Sequence, residues 1–274
     1  MTLVTALSTV SVAGVAARWR LTPWDADGLG LPATAELVEL DDGPASAQAV
    51  VLAALDDDLG ARDVALVTTR LAAERTATLA ALAVAGWRAV ETSHALTLDL
   101  AAWSPPPSLR RAVAVEPATA ADAPALAELA ATAFDYSRFH EDPRIHPARA
   151  RGRYRRWIVD SLSNGDEVWV HRRAGQVAAL MSFRRVAPTQ VELRLGGVAV
   201  GLGPLASMFW VGVLRGLAAQ GVAAIATRVS AANAGALRLH DALGFARGPI
   251  AIGATKLYAP SLVAAPPPRT AVRT

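Results

Sequence analysis

Cysteine is absent from this 274-residue chain, which excludes disulfides, thiolate metal sites and a cysteine nucleophile, and makes a cytoplasmic location the natural expectation. Lysine is nearly absent: Lys256 is the single one among 27 basic residues. The sequence pI near 9.9 is therefore an arginine property, and a net charge of only +3 says little about partners. Long apolar runs are missing as well. The hydrophobic share is 53%, but it lies in short patterned stretches of alanine, valine and leucine, none near the roughly 20 residues of a bilayer span, so no membrane partner is expected. The apolar first twenty residues lack the basic leading segment of a signal peptide and are broken by Ser8, Thr9 and Ser11. They read as a first strand and its flank.

What is present divides in two. A chain of 274 residues is comfortable as two domains, each with its own core. Ser104-Pro105-Pro106-Pro107-Ser108 cannot continue a helix or a central strand, which sets a stiff linker at 104–110 between domains 1–103 and 111–260. The proline-rich segment 261–274 is expected to be a disordered tail. In the first half, periodicity predicts strands over 11–20, 34–40, 63–69 and 94–100 and helices over 45–55 and 71–85, the second ended by Gly86. In the second half it predicts strands over 112–116, 167–172, 176–185, 189–200, 223–229 and 250–258. Helices are predicted over 120–133, 147–163, 204–220 and 233–243, the first opened by the capping-box pattern Thr119-Ala120-Ala121-Asp122.

Both halves run strand, helices, strands, a helix closed by Gly-Trp or Gly-Phe, then a strand, with Gly86-Trp87 and Gly244-Phe245 at equivalent places. The order over Glu192–Phe245, closing on Asn233 and Leu243-Gly244-Phe245, resembles the donor half of the GNAT N-acyltransferase superfamily. Leu21-Thr22-Pro23-Trp24-Asp25 and Ala133-Phe134-Asp135-Tyr136-Ser137-Arg138-Phe139-His140, followed by Tyr154 and Trp157, are similar to segments of the dTDP-fucosamine acetyltransferase type. The resemblance implies an α/β fold of two GNAT-like units, each a mixed, mostly antiparallel sheet flanked by helices, the first unit degenerate. It also implies acetyl-CoA or another acyl-CoA as co-substrate and a small-molecule amine as acceptor, with no metal.

Carried onto this sequence, the resemblance makes Val198, Ala199 and Val200 the end of a splayed strand that pairs with a pantetheine arm. Gly201, Gly203, Leu205, Ala206 and Ser207 become a glycine turn and helix start facing the pyrophosphate. The family usually places a longer Gln/Arg-x-x-Gly-x-Gly/Ala loop there, so this chain offers a reduced phosphate cradle. Asn233 occupies the place of a donor-contacting asparagine, although asparagine is also a favoured N-cap. His240 stands where a tyrosine often protonates the leaving thiol; an imidazole serves that role equally, or simply packs there.

Amide formation from an activated acyl group needs a deprotonated amine, an oxyanion contact and an acid for the leaving group. Glu192, six residues before Val198, is the candidate for orienting or deprotonating the amine if strand alternation turns it into the cleft. Arg138 and His140 fall in an irregular polar segment, where substrate residues collect, and are expected to grip a carboxylate or phosphate of the acceptor beside Tyr154. The alternative for Arg138 is an ion pair with Glu141 or Asp142, and for Trp157 a core position. A dense run of arginines from Arg138 to Arg194 reads either as a solvated face or as a polyphosphate-facing wall. It keeps two further readings open: the same fold using an aminoacyl-tRNA donor, with tRNA as partner, and a non-catalytic module that retains the fold.

Overall fold

A computed structural model describes residues 5–258, so the tail expected at 261–274 lies outside the described residues. The first half runs β1 (Ser8–Val12), β2 (Val15–Leu21), α1 (Pro23–Leu29), β3 (Ala33–Leu40), α2 (Ala45–Gly60), β4 (Val64–Ala72), α3 (Thr76–Val84) and β5 (Arg88–Asp99). The second runs β6 (Glu116–Pro117), α4 (Ala123–Ala133), α5 (Pro147–Ser163), β7 (Glu167–Arg173), β8 (Gln176–Ala187), β9 (Gln190–Val198), α6 (Leu205–Ala219), β10 (Ala224–Ser230), α7 (Ala234–Ala242) and β11 (Ala246–Leu257).

All the strands among the described residues join one 11-stranded sheet in the order β1-β2-β3-β4-β11-β5-β10-β9-β8-β7-β6. Among the described residues only β3/β4 and β9/β10 pair in parallel; the rest is antiparallel, which is the mixed, mostly antiparallel architecture expected. The two halves exchange their last strands. β11 pairs with β4 and β5, and β5 pairs with β10, so the proline segment divides the sequence while the sheet runs on across it. Helices cover the sheet, and no described helix is long and apolar enough to cross a membrane.

Local chemistry explains most elements. α5 starts where Pro147 occupies a first-turn position and the His146 ring accepts from the Ala148 amide at 3.2 Å. Ala150, Tyr154 and Ile158 form its buried face. The capping box at Thr119 forms as expected, and it opens a 3-10 turn that leads into α4. Three expectations need correction. The stretch 11–20 is a hairpin, because Ala13 and Gly14 both take positive φ, 51° and 78°, and reverse the chain in a two-residue turn. Residues 112–116 are mostly irregular: the Val113 amide donates to the Met208 carbonyl and Val115 packs on the core, leaving only Glu116–Pro117 as strand. The helix predicted from residue 71 starts at Thr76, since Leu71 and Ala72 remain paired with β11.

α1 and α5 bind the two halves together. A Cβ on Gly152 would stand 2.7 Å from the Gly28 carbonyl oxygen, and one on Gly28 would stand 2.7 Å from the Arg153 Cα, so each glycine permits the backbone contact. That contact brings Arg153 onto the buried carboxylate of Asp25 and the Arg149 guanidinium onto the last carbonyls of α1, Leu29 at 2.8 Å and Gly30 at 3.0 Å. Phe139 and Ile145, from the segment between α4 and α5, pack with Leu29 and Leu66 of the first half. The same segment is tied to β11 through Asp142, which accepts from Arg144 at 2.8 Å and from the Thr255 hydroxyl at 2.6 Å.

Candidate active site

The ladder between β9 and β10 stops at Glu192/Ala226, and from Leu193 and Thr227 onward the strands part. A bulge in β9 accompanies the parting: Ser182 faces Leu195 and Phe183 faces Leu193, leaving Arg194 as the extra residue. The Thr227 hydroxyl donates to the Leu193 carbonyl at 3.1 Å, a side-chain bridge at the point of opening. Beyond it come Gly196 and Gly197. A Cβ on the first would meet the Met181 Cε at 2.6 Å and Trp210 at 3.2 Å, and on the second Phe134 at 3.1 Å. The paired glycines therefore let side chains close over both faces of the strand at the split.

Two adjoining cavities result. The smaller, about 140 Å³, lies in the split and is lined by Leu195, Gly196, Trp210, Val229, Asn233 and His240, among others. The larger, about 350 Å³, lies between the two halves and is strongly charged, with Arg70 and Glu91 from the first half facing Arg138, Glu192 and Arg228 from the second. Tyr136, Tyr154, Leu193, Arg194, Arg228 and Ser230 line both, which makes them the junction.

His240 borders the smaller cavity. Its Nδ1 donates to the Ala236 carbonyl at 2.7 Å, leaving Nε2 as a buried acceptor without a partner among the described residues. Trp210 and Phe245 meet its ring edge-on at 4.5 and 4.8 Å, and burial pushes its pKa below the ordinary value. A neutral ring with a free lone pair accepts protons; it does not suit the acid role expected for it. Asn233 is the N-cap of α7, its side-chain oxygen accepting from the Ala236 amide at 3.0 Å, and it also lines the smaller cavity.

The residues expected to face a donor's pyrophosphate, 198–207, line neither cavity. Val198 still pairs with β8 at Ala179, the Ala199 amide donates to the Ala178 carbonyl at 2.9 Å, and Val200 is exposed. Gly201 takes φ +82° and turns the chain. The amides of Leu205 and Ala206 donate to the Leu202 and Gly203 carbonyls at 2.8 and 3.0 Å, so those two are already bonded in local turns. Pro204 is the N-cap and Ser207 lies in the first turn of α6, half-buried. The turn at Gly201 and Gly203 and the start of α6 are open to solvent on a short loop.

On the other side of the junction, Glu192 lines the larger cavity, half exposed and 3.9 Å from Arg194. Arg138 also lines it, 4.0 Å from Asp25 rather than paired with Glu141 or Asp142. Its Nε is buried without a hydrogen-bond partner among the described residues, and burial together with neighbouring Arg70 pulls its pKa down. Tyr154 stands at the junction, stacked on Phe134 at 5.1 Å, and burial raises its pKa, so the phenol stays protonated. His140 packs 5.2 Å from Tyr154 with Nδ1 on the Ser137 hydroxyl at 3.0 Å; it borders neither cavity and supports Tyr154 from behind.

No family model matches the sequence, and no curated protein matches it. Among solved structures, the tandem GNAT protein from the clavulanic acid biosynthesis pathway, determined without acetyl-CoA, aligns over 95% of this chain and 86% of its own, with TM-score 0.59 and 18% identity. A GCN5-related N-acetyltransferase from Kribbella flavida covers 91% and 89%, with TM-score 0.57 and 16% identity. One from Sphaerobacter thermophilus covers 88% and 76%, with TM-score 0.59 and 15% identity. The fold is that of the GNAT acetyltransferases.

Within this GNAT fold, several junction residues carry no motif in the sequence. The Ser230 hydroxyl donates to Glu141 at 2.7 Å and accepts from the Ala232 amide at 3.1 Å, which leaves one lone pair on its oxygen. Burial pushes the Glu141 carboxyl above its ordinary range, and the nearby Glu91 carboxylate adds to this against the Ser230 hydrogen bond. Such a pair can take a proton at the serine oxygen and store it on the carboxylate. The arginine-rich run, in turn, is largely matched internally. Arg144, Arg155, Arg156, Arg172, Arg184 and Arg185 each meet a carboxylate within 4.0 Å, so these residues do not form an open basic wall.

Proposed function

We propose that this protein is an N-acyltransferase that moves an acyl group from acetyl-CoA or another acyl-CoA to the amine of a small molecule, such as an amino sugar or a biosynthetic intermediate. The observation that carries the reading is the parting of β9 and β10 after Glu192/Ala226 into one cavity that opens, past Tyr154 and Ser230, into a second. A thioester arm lying along the open edge of β9 would present its carbonyl at that junction, with the amine entering from the charged side.

The residues divide the chemistry. Ser230 accepts a proton from the amine and passes its own to Glu141, freeing the nitrogen lone pair to attack the carbonyl carbon. As the new C–N bond forms and the C–S bond breaks, the departing thiolate takes the proton of the buried Tyr154 phenol at the junction, and the phenolate takes back the surplus proton of the new amide nitrogen. His240 holds its neutral ring against the wall of the split, where Nε2 accepts a hydrogen bond from an amide of the donor arm. Glu192 orients the amine at the mouth of the larger cavity.

An aminoacyl-tRNA donor is a second reading, supported by the short loop from Ala199 to Pro204 and the internally bonded amides of Leu205 and Ala206. Thiol release from acetyl-CoA in the presence of a panel of small amines tests the main reading. Amine-dependent release supports it; no release with any amine, alongside salt-sensitive tRNA binding, would transfer the conclusion to the second.

A further inference from the structure

The larger cavity has more positive charge than its own carboxylates can match. Six arginines line it, Arg20, Arg70, Arg138, Arg153, Arg194 and Arg228, against four acids, Asp25, Glu36, Glu91 and Glu192. Arg20 is matched by Glu36 and Arg70 by Glu91, both at 2.6 Å, Arg194 lies 3.9 Å from Glu192 and 3.8 Å from Asp166 beside the cavity, and Asp25 is shared between Arg153 and Arg138. Among the described residues Arg228 meets no carboxylate at ion-pair distance, and its Nη1 has only the Ser93 hydroxyl at 3.5 Å. Arg70 lowers the pKa of both Arg138 and Arg228, second in each case to burial, so the Arg70 guanidinium repels each of the other two.

The unmet donors point the same way. Among the described residues the buried Nε atoms of Arg70, Arg138 and Arg194 have no hydrogen-bond partner, that of Arg194 having only the Asp166 carboxylate at 3.8 Å, and all three side chains line this cavity. A buried donor without a partner is costly, and a cluster of them around one space marks where an acceptor group belongs. Guanidinium groups suit carboxylate and phosphate oxygens in particular. A neutral or purely cationic molecule would leave the surplus charge uncompensated. The volume, about 350 Å³, lies near the lower end of the roughly 300–1,000 Å³ usual for small-molecule sites, which favours a compact acceptor over a nucleotide-linked one.

We infer that the acceptor is a small amine carrying an anionic group, a carboxylate or a phosphate, which Arg70, Arg138 and Arg228 hold while the amine reaches Ser230. This rests on the acyl-transfer reading and deepens it, because the first half of the chain then supplies part of the acceptor site through Arg70 and its partner Glu91. Titration calorimetry of the full-length protein with O-phosphoethanolamine, β-alanine and ethanolamine tests it, the first two separating phosphate from carboxylate. At least one anionic amine should bind about tenfold or more tightly than ethanolamine, and Arg138→Gln and Arg228→Gln should each remove that advantage. Should one variant fail to fold, judged by its thermal melt, the other carries the comparison. Equal affinity for ethanolamine, no heat from either anionic amine at millimolar concentration, or anion affinity unchanged in both variants would overturn the inference. Thiol release from acetyl-CoA keeps the two readings apart. Anion binding without turnover rejects acyl transfer and keeps the anion site, whereas turnover indifferent to the anion does the reverse.

Discussion

Arg70 on β4 reaches Glu91 on β5 at 2.6 Å although β11 runs between their strands. The residue they reach across is Gly253, which pairs with both. A Cβ there would stand 2.9 Å from the Glu91 Oε2 and 3.7 Å from the Arg138 Cβ. Strand exchange and this one glycine thus bring a cation and an anion from the first half up to the larger cavity.

Gly253→Val should therefore separate Arg70 from Glu91 and crowd Arg138. The expected cost is about 1–3 kcal/mol of overpacking, measured by urea denaturation, together with a raised KM for the amine and a KM for the acyl donor close to wild type. Equal losses for both substrates would show that the substitution damages the sheet generally.

Glu141→Gln removes the proton store behind Ser230 while keeping its shape. Turnover should fall by about 10²–10⁴, with donor affinity unchanged. In the wild-type protein the rate should rise with pH as Glu141 ionises, at a pH above the ordinary carboxylate value because burial holds its pKa up. The variant should lose that limb of the profile. A rate loss that leaves the pH profile intact would make Glu141 a packing residue.

Arg153→Ala strips the buried Asp25 carboxylate of its main partner, the two side chains being 7% and 2% exposed. Leaving a buried charge uncompensated costs about 3–5 kcal/mol, and the loss should appear as a lower denaturation midpoint. Asp25→Asn combined with Arg153→Met removes both charges and should recover much of it. A destabilisation near zero for Arg153→Ala would mean that the contact between α1 and α5 rests on Gly28 and Gly152 alone.

Acid should weaken the fold through His240. Its folded pKa lies below the ordinary 6.5 because it is buried, so the unfolded chain binds the proton more readily. The stability contributed by the neutral ring is complete above about pH 6.5 and is lost as pH falls through the lowered value. Thermal melts from pH 7 downward should show this decline, and His240→Gln should make it shallower. His140, lowered for the same reason, contributes with the same sign, so the variant flattens the curve only in part.

Much of the fold was legible because local chemistry wrote it. α5 was readable over 147–163 from its proline and its apolar spacing, and the β7–β8–β9 meander from its turns. The exchange of β5 and β11 was not legible, since alternation along a strand is the same whichever neighbour it pairs with. Tyr154, Arg138 and Asn233 were reachable through resemblance, and the structure places all three on cavity walls. Arg70, Glu91 and Arg228 look in sequence like the solvent-facing residues of ordinary strands, and only the crossing of the chain turns them inward. Ser230 and Glu141 lie far apart in sequence with no motif joining them. The opening of the strands was expected at 198–200, whereas the bulge at Arg194 starts it at Leu193.

Calorimetric titration of acetyl-CoA into the wild-type protein and into Gly197→Val tests most directly whether the split between β9 and β10 receives the acyl donor. Wild type should bind, and the valine, built where a Cβ already stands 3.1 Å from Phe134, should weaken binding by about tenfold or more while the thermal melt stays cooperative. Acetyl-CoA that binds both proteins equally, or gives no heat with wild type at millimolar concentration, would contradict a donor site in the split.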